Sequence, residues 1–195
     1  MVKNVTFRIR GLESIIKGDA QTRLAESIHA DSVFSNAQSI TLIVDGHGSI
    51  GNMASFVSSN AEQIVSGYFS TLRRMAPAAQ RIVLKFSSYT CPGEDERVIK
   101  RIFEILSSNL LHGIPNVSFE GQRYTTSYVD LSAFNLSQLT HLSFSHMSNN
   151  KQNFEVVRTN AQTLCELSIT YSESTSGTYD LLFDNSGKPV VYSSL

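Results

Sequence analysis

Neither sign of charge is in excess in this chain: 16 Lys and Arg face 17 Asp and Glu, a formal net charge of −1. That balance supplies no global field toward nucleic acid or an anionic membrane, and neither is expected as a partner. Charged residues make up only 17%, too few for a solvated or disordered chain, while a 41% hydrophobic share can build a core. Cysteine is scarce. Cys91 and Cys165 show neither CxxC nor ligand spacing, so no disulfide framework is expected and both are read as reduced and structural. Long apolar runs are missing too, since no window approaches the ~18 residues of a spanning helix. The start, Met1-Val2-Lys3-Asn4-Val5, has no apolar signal region. A soluble intracellular protein, cytoplasmic or nuclear, is the expectation. The sequons at Asn4, Asn116 and Asn135 are then read as chance.

What is present is a recurring frame, apolar-x-x-apolar-x-apolar. It appears as Val2-x-x-Val5-x-Phe7, Ala37-x-x-Ile40-x-Leu42 and Ala79-x-x-Ile82-x-Leu84. It returns as Ile114-x-x-Val117-x-Phe119, Leu139-x-x-Leu142-x-Phe144 and Leu164-x-x-Leu167-x-Ile169. The steps between successive frames are 35, 42, 35, 25 and 25 residues. Asn36-Ala37-Gln38, Ala78-Ala79-Gln80 and Asn160-Ala161-Gln162 share Ala-Gln at three of the frames and support the alignment.

Each frame reads as a strand and most gaps as a helix. Gly18 and Asp19 divide the stretch from Gly11 to Ala30, which predicts two short helices or one. Asn52 is expected to cap a helix reaching Met75, with Met53, Val57, Ile64, Tyr68 and Leu72 on its apolar stripe. Glu94, Asp95 and Glu96 suit the positive end of a helix that runs to Leu111 and closes at Gly113. The connection 124–135 is too short for a long helix. A further helix should hold Phe154, Val157 and Ala161, and a hairpin is predicted from Leu181 to Tyr192.

Strands separated by helix-length crossovers must pair in parallel, because a hairpin turn cannot span 20–35 residues. The first, fourth and sixth frame positions should point inward beneath the helices, so that neighbouring rungs share one core. These frames resemble leucine-rich repeats, in the irregular, long-helix form of the ribonuclease-inhibitor-like superfamily. In texture they are similar to divergent fungal F-box-type proteins, notably at Met75-Ala76-Pro77-Ala78-Ala79-Gln80-Arg81-Ile82 and Asn185-Ser186-Gly187-Lys188-Pro189-Val190-Val191-Tyr192. The resemblance implies an α/β solenoid with a parallel sheet on its concave face and helices on its convex face. It covers residues 1–195 as one domain, read as a fragment of a longer array. Two departures stand: no Asn follows the frames at the regular place, and the longer steps exceed the 20–29 residues of ordinary repeats. No F-box is visible, so adaptor function is not carried over.

The third, fifth and seventh frame positions should face outward in columns. The fifth column is Thr6, Thr41, Val83, Ser118, Ser143 and Ser168, small and mostly hydroxylated. Flanking columns contribute Arg8, Ile43, Arg81, Lys85, Glu120, His141 and Glu166. Small residues would let a protein partner approach while the charges select it; the same composition also suits a merely solvated face. Gly46-His47-Gly48-Ser49-Ile50-Gly51 is a literal G-x-G-x-x-G between strand and helix. No acidic residue ends the next strand, where Phe86-Ser87-Ser88 stands, and Asp45 would repel phosphate. Gly46, Gly48 and Gly51 are therefore read as an inter-repeat loop. His141 and His146 cannot share a metal simply, and neither Ser143 nor Ser145 sits in a G-x-S-x-G elbow.

The expectation is a non-enzymatic protein-recognition module without cofactor or metal; the narrower form implied by the resemblance is the substrate-reading part of an F-box-type ubiquitin-ligase adaptor. The alternatives are a nucleotide-binding α/β enzyme using the Gly46–Gly51 loop and a truncated product without function. Strand order separates the first two: sequential neighbours mean a solenoid, a reversal beside Gly46 a doubly wound fold.

Overall fold

Val5, Phe7 and Ile9 are buried while Thr6, Arg8 and Arg10 between them are exposed, and this alternation builds strand β1 (Asn4–Arg10). The computed structural model describes residues 2–27, 34–45, 59–87, 96–121, 131, 134, 136–146 and 151–170. Every frame gives a strand: β2 (Ser39–Asp45), β3 (Arg81–Ser87), β4 (Asn116–Glu120), β5 (His141–Ser145) and β6 (Glu166–Thr170) follow β1. All pair in parallel, in the order β1-β2-β3-β4-β5-β6, with no reversal. The sheet is not curled.

Among the described residues five α-helices cover one face. α1 (Glu13–Ile16) and α2 (Asp19–Ser27) are separate, with Gly18 at φ +78° between them, a backbone angle that glycine adopts without cost. α3 spans Ser59–Met75, α4 Glu96–Leu106 and α5 Lys151–Thr159. The expected run to Leu111 is helical but changes type, since Ser107–Leu111 is a π-helical turn before Gly113. The proposed Asn52 cap, Met53, Val57, Glu94, Asp95, the Gly46–Gly51 loop, Cys91 and the hairpin from Leu181 lie outside the described residues.

One core joins the fourth and sixth frame positions to the helices. Ile40, Leu42, Ile82, Leu84, Val117, Phe119, Leu142 and Phe144 meet Val65, Phe69 and Leu72 of α3, Ile102 and Phe103 of α4 and Val157 of α5. Each fully buried side chain of this kind contributes roughly 1.5–3 kcal/mol. Phe86, Phe103, Phe134, Phe119 and Phe144 form a continuous run of ring contacts with centroids 5.1–5.8 Å apart. Phe134, with Leu131 and Leu136, is buried in the short connection and does there what a helix does elsewhere.

One inward expectation is corrected. Val2, a first frame position, is 48% exposed, because it precedes β1 and no described element packs on it. Leu167 and Ile169 point inward and pack against the core as expected, but are only partly buried, since β6 has one neighbouring strand in the described sheet. Cys165 is a free, exposed cysteine, its Sγ lying 3.6 Å from the Thr163 carbonyl.

Polar side chains close the joints. Arg73 donates to the carbonyls of Ala76 (3.2 Å) and Ala79 (3.0 Å), and burial lowers its pKa from the ordinary value. This ties the end of α3 to the turn before β3. Arg101 of α4 grips Glu62 of α3 through Nε (2.7 Å) and Nη2 (3.0 Å), and that hydrogen bonding holds the Glu62 carboxyl below its usual range.

Candidate functional site

Strand register decides what the outward face can be. The fifth column lines up across all six strands as Thr6, Thr41, Val83, Ser118, Ser143 and Ser168. The third column runs Asn4, Ser39, Arg81, Asn116, His141, Glu166, and the seventh Arg8, Ile43, Lys85, Glu120, Ser145, Thr170. These columns face away from the helices, and Val83, though buried, is outside the hydrophobic core.

The centre of the face is less open than its composition implies. Val83 and Ser118 are 8% and 6% exposed, so Ser118 does not present a free hydroxyl. Arg81 Nη2 reaches to 3.5 Å from Ser118 Oγ. Thr41, Ile43 and Ser143 are half-buried, while Thr6 and Ser168 at the two ends are exposed.

Most of the charges selected from the sequence answer one another across strands. Lys85 Nζ lies 2.6 Å from Glu120, Arg8 Nε 3.4 Å from Asp45, and His141 Nε2 3.6 Å from Glu166. The two opposed-charge pairs, Lys85–Glu120 and Arg8–Asp45, each stabilise strand pairing by roughly 0.2–1 kcal/mol. Asp45 also accepts from Ser87 Oγ at 2.6 Å, and Asn4 from Ser39 Oγ at 2.6 Å. Arg81 differs: its described partner is the Ser118 hydroxyl, and no carboxylate pairs with it among the described residues.

At the N-terminal ends of β1 to β4 the face opens into a groove of about 660 Å³. Amides and hydroxyls line it (Asn4, Gln38, Ser39, Gln80 and Asn116), and Arg81 is its one charged lining residue among those described. This arrangement can hydrogen-bond a polar ligand with one anionic group. It offers no nucleophile–base pair. Among the described residues no three His, Cys, Asp or Glu side chains converge as metal ligands. No helix of the described residues is long and apolar enough to cross a membrane.

Sequence reasoning overlooked two bridging amides, the buried Asn160 and the half-buried Asn109. Asn160 donates Nδ2 to the carbonyls of Leu136 (3.1 Å) and Val156 (2.8 Å) and accepts the Leu139 N–H (2.9 Å). Asn109 donates to Ile105 O (2.8 Å) and accepts from Ser66 (3.1 Å) and Ser70 (2.8 Å) of α3. The repeated Asn-Ala-Gln was a visible hint for the first; nothing in the pattern marked the second.

No family model, curated protein or solved structure matches this chain.

Proposed function

We propose that the chain is a leucine-rich-repeat-like solenoid whose outward sheet face recognises a protein partner, without catalysis. The substrate-reading part of an F-box-type adaptor is the specific role this reading favours. What carries it is the register: short side chains occupy one column on all six strands, on the face opposite the helices. Thr6 and Ser168 are exposed and Thr41 and Ser143 half-buried, so four hydroxyls of the column lie within a partner's reach on either side of the closed centre. The amide-lined groove beside Arg81 adds hydrogen-bonding capacity without a reactive group. A nucleotide enzyme would place its ligand where strand order reverses, and the described sheet runs in sequence throughout.

A photo-crosslinking residue at Ser143, with another at Lys100 of α4 as control, tests the reading in extract from cells expressing the chain. An adduct formed at Ser143 alone, competed by unlabelled chain and lost with Thr41→Arg, is expected. Adducts only from the helical side would reject the outward face. Micromolar binding of NAD or ATP in calorimetry would instead support the enzyme.

A further inference from the structure

β1 has one neighbour in the described sheet, β2, so its other edge is unpaired among the described residues. In a parallel ladder, residues whose main-chain groups point to one neighbour alternate with residues whose groups point the opposite way. Bonds to β2 run through the odd-numbered residues: the Lys3 carbonyl accepts Gln38 and Ser39 N–H, and Gly11 N–H donates to the Asp45 carbonyl. The N–H and C=O groups of Thr6, Arg8 and Arg10 therefore point to the open edge.

A groove of about 440 Å³ follows that edge, with residues 6–10 forming one wall. Ala20 and Leu24 of α2 and Tyr68 of α3 supply an apolar wall, and Arg8, Arg10 and Arg23 line the groove with no carboxylate among the described lining residues. Asp45 partly neutralises Arg8. Arg10 and Arg23 are exposed and make no ion pair among the described residues.

We infer that this edge takes up an extended acidic peptide as an added strand, at a site that adjoins the outward face through Thr6 and Arg8 but needs no partner on that face. Strand side chains alternate between faces, which fixes the peptide's pattern. Its apolar residues lie over Ala20, Leu24 and Tyr68, while alternate Asp or Glu residues meet Arg8 and Arg10, with Arg23 at the rim. The Thr6, Arg8 and Arg10 N–H groups donate to its carbonyls, the mode of binding by strand addition. A second copy docking edge to edge about a two-fold axis would set the same arginines against each other, so charge selects a peptide over self-association.

The probe is a fluorescein-labelled Glu-Val-Glu-Val-Glu-Val peptide, with Lys-Val-Lys-Val-Lys-Val as control, titrated against the full chain by anisotropy. Saturable binding of the acidic peptide is expected, at least tenfold tighter than the basic one and weakened by salt. The double variant Arg10→Glu, Arg23→Glu should lose at least tenfold in affinity. Thr6→Pro removes an edge-facing N–H and no bond to β2, a substitution edge strands tolerate; it should abolish binding with unchanged circular dichroism. If Thr6→Pro fails to fold, amide exchange in the unsubstituted chain decides. Protection of Thr6, Arg8 and Arg10 on adding peptide supports the inference, and unchanged exchange overturns it. Equal affinity for both peptides, or a dimer in sedimentation whose edge amides are protected without peptide, also overturns it.

Discussion

The side-chain oxygen of Asn160 accepts the main-chain N–H of Leu139 from 21 residues away in the chain, at 2.9 Å. Elsewhere the first residue of a frame satisfies that N–H locally: Ala37 bonds to Phe34, Ala79 to Ala76 and Ile114 to Leu111. Before Leu139 the chain passes through Gln138 at φ +61°, and the side chain of the following repeat supplies the acceptor.

Asn160→Ala should therefore orphan a buried N–H and two carbonyls at once. A loss of about 2–4 kcal/mol is expected from ~1–3 kcal/mol per unsatisfied group, softened by relaxation. Asn160→Asp keeps the acceptor for Leu139 but sets a carboxylate against the Leu136 and Val156 carbonyls, so it should be at least as harmful. Urea unfolding of both variants checks this, and an alanine variant within 0.5 kcal/mol of the parent would remove Asn160 from any structural role.

Leu142 is 1% exposed and lies in register between Val117 and Leu167. Leu142→Ala should cost about 2–5 kcal/mol, the range for emptying a packed site. Leu142→Asp adds an unpaired buried charge and should leave little folded protein, given a total stability of roughly 5–15 kcal/mol. Leu167→Ala, at a half-buried rung, should cost clearly less. Thermal unfolding of the Leu142→Asp chain that matched the parent would contradict a shared core.

Burial raises the Tyr68 phenol to about 12 from its ordinary 10. The folded chain thus keeps this proton at pH values where the unfolded chain has lost it. Stability carried by the neutral phenol is complete below pH ~10 and declines as pH rises toward ~12, by about 1.4 kcal/mol per unit. Tyr68→Phe should flatten that alkaline slope and leave the neutral-pH slope alone. Denaturant melts between pH 9 and 11.5 would show the difference, and parallel slopes for the two proteins would refute it.

Two glycines should respond in opposite directions. Gly67 lies within α3, and an added methyl would meet only the Gln21 side-chain amide, at 3.6 Å. Gly67→Ala should stabilise by about 0.5–1 kcal/mol. Gly113 has free space for a methyl but sits at φ +71°. Gly113→Ala should cost about 1–2 kcal/mol from backbone strain alone. Paired unfolding curves distinguish the two.

The strands and their order were legible because period-two alternation and the frame pointed the same way. Aligning Val5, Ile40, Ile82, Val117, Leu142 and Leu167 by frame gives the observed partners, so register was legible as well. The pattern also misleads: Leu131-x-x-Phe134-x-Leu136 fits the frame, yet none of those three residues lies in a strand. Apolar spacing reports which side chains seek the core, not whether a neighbouring backbone is free to pair. For the same reason it did not foresee Asn160 and Asn109, whose partners are carbonyls and hydroxyls brought near only by folding. The outward charges were legible as a set. Their mutual pairing depends on side-chain reach between strands, as for Lys85 and Glu120.

At the entrance to β2, β3, β5 and β6 a single carbonyl of the preceding segment accepts two successive N–H groups. Lys3 receives Gln38 and Ser39, Gln38 receives Gln80 and Arg81, Pro115 receives Thr140 and His141, and Thr140 receives Cys165 and Glu166. Each clasp sets the lateral alignment where a strand begins, whatever length of chain came before it. Crossovers can therefore lengthen or shorten by insertion and deletion without sliding one column past the next. Steps as unlike as 42 and 25 residues end in the same alignment.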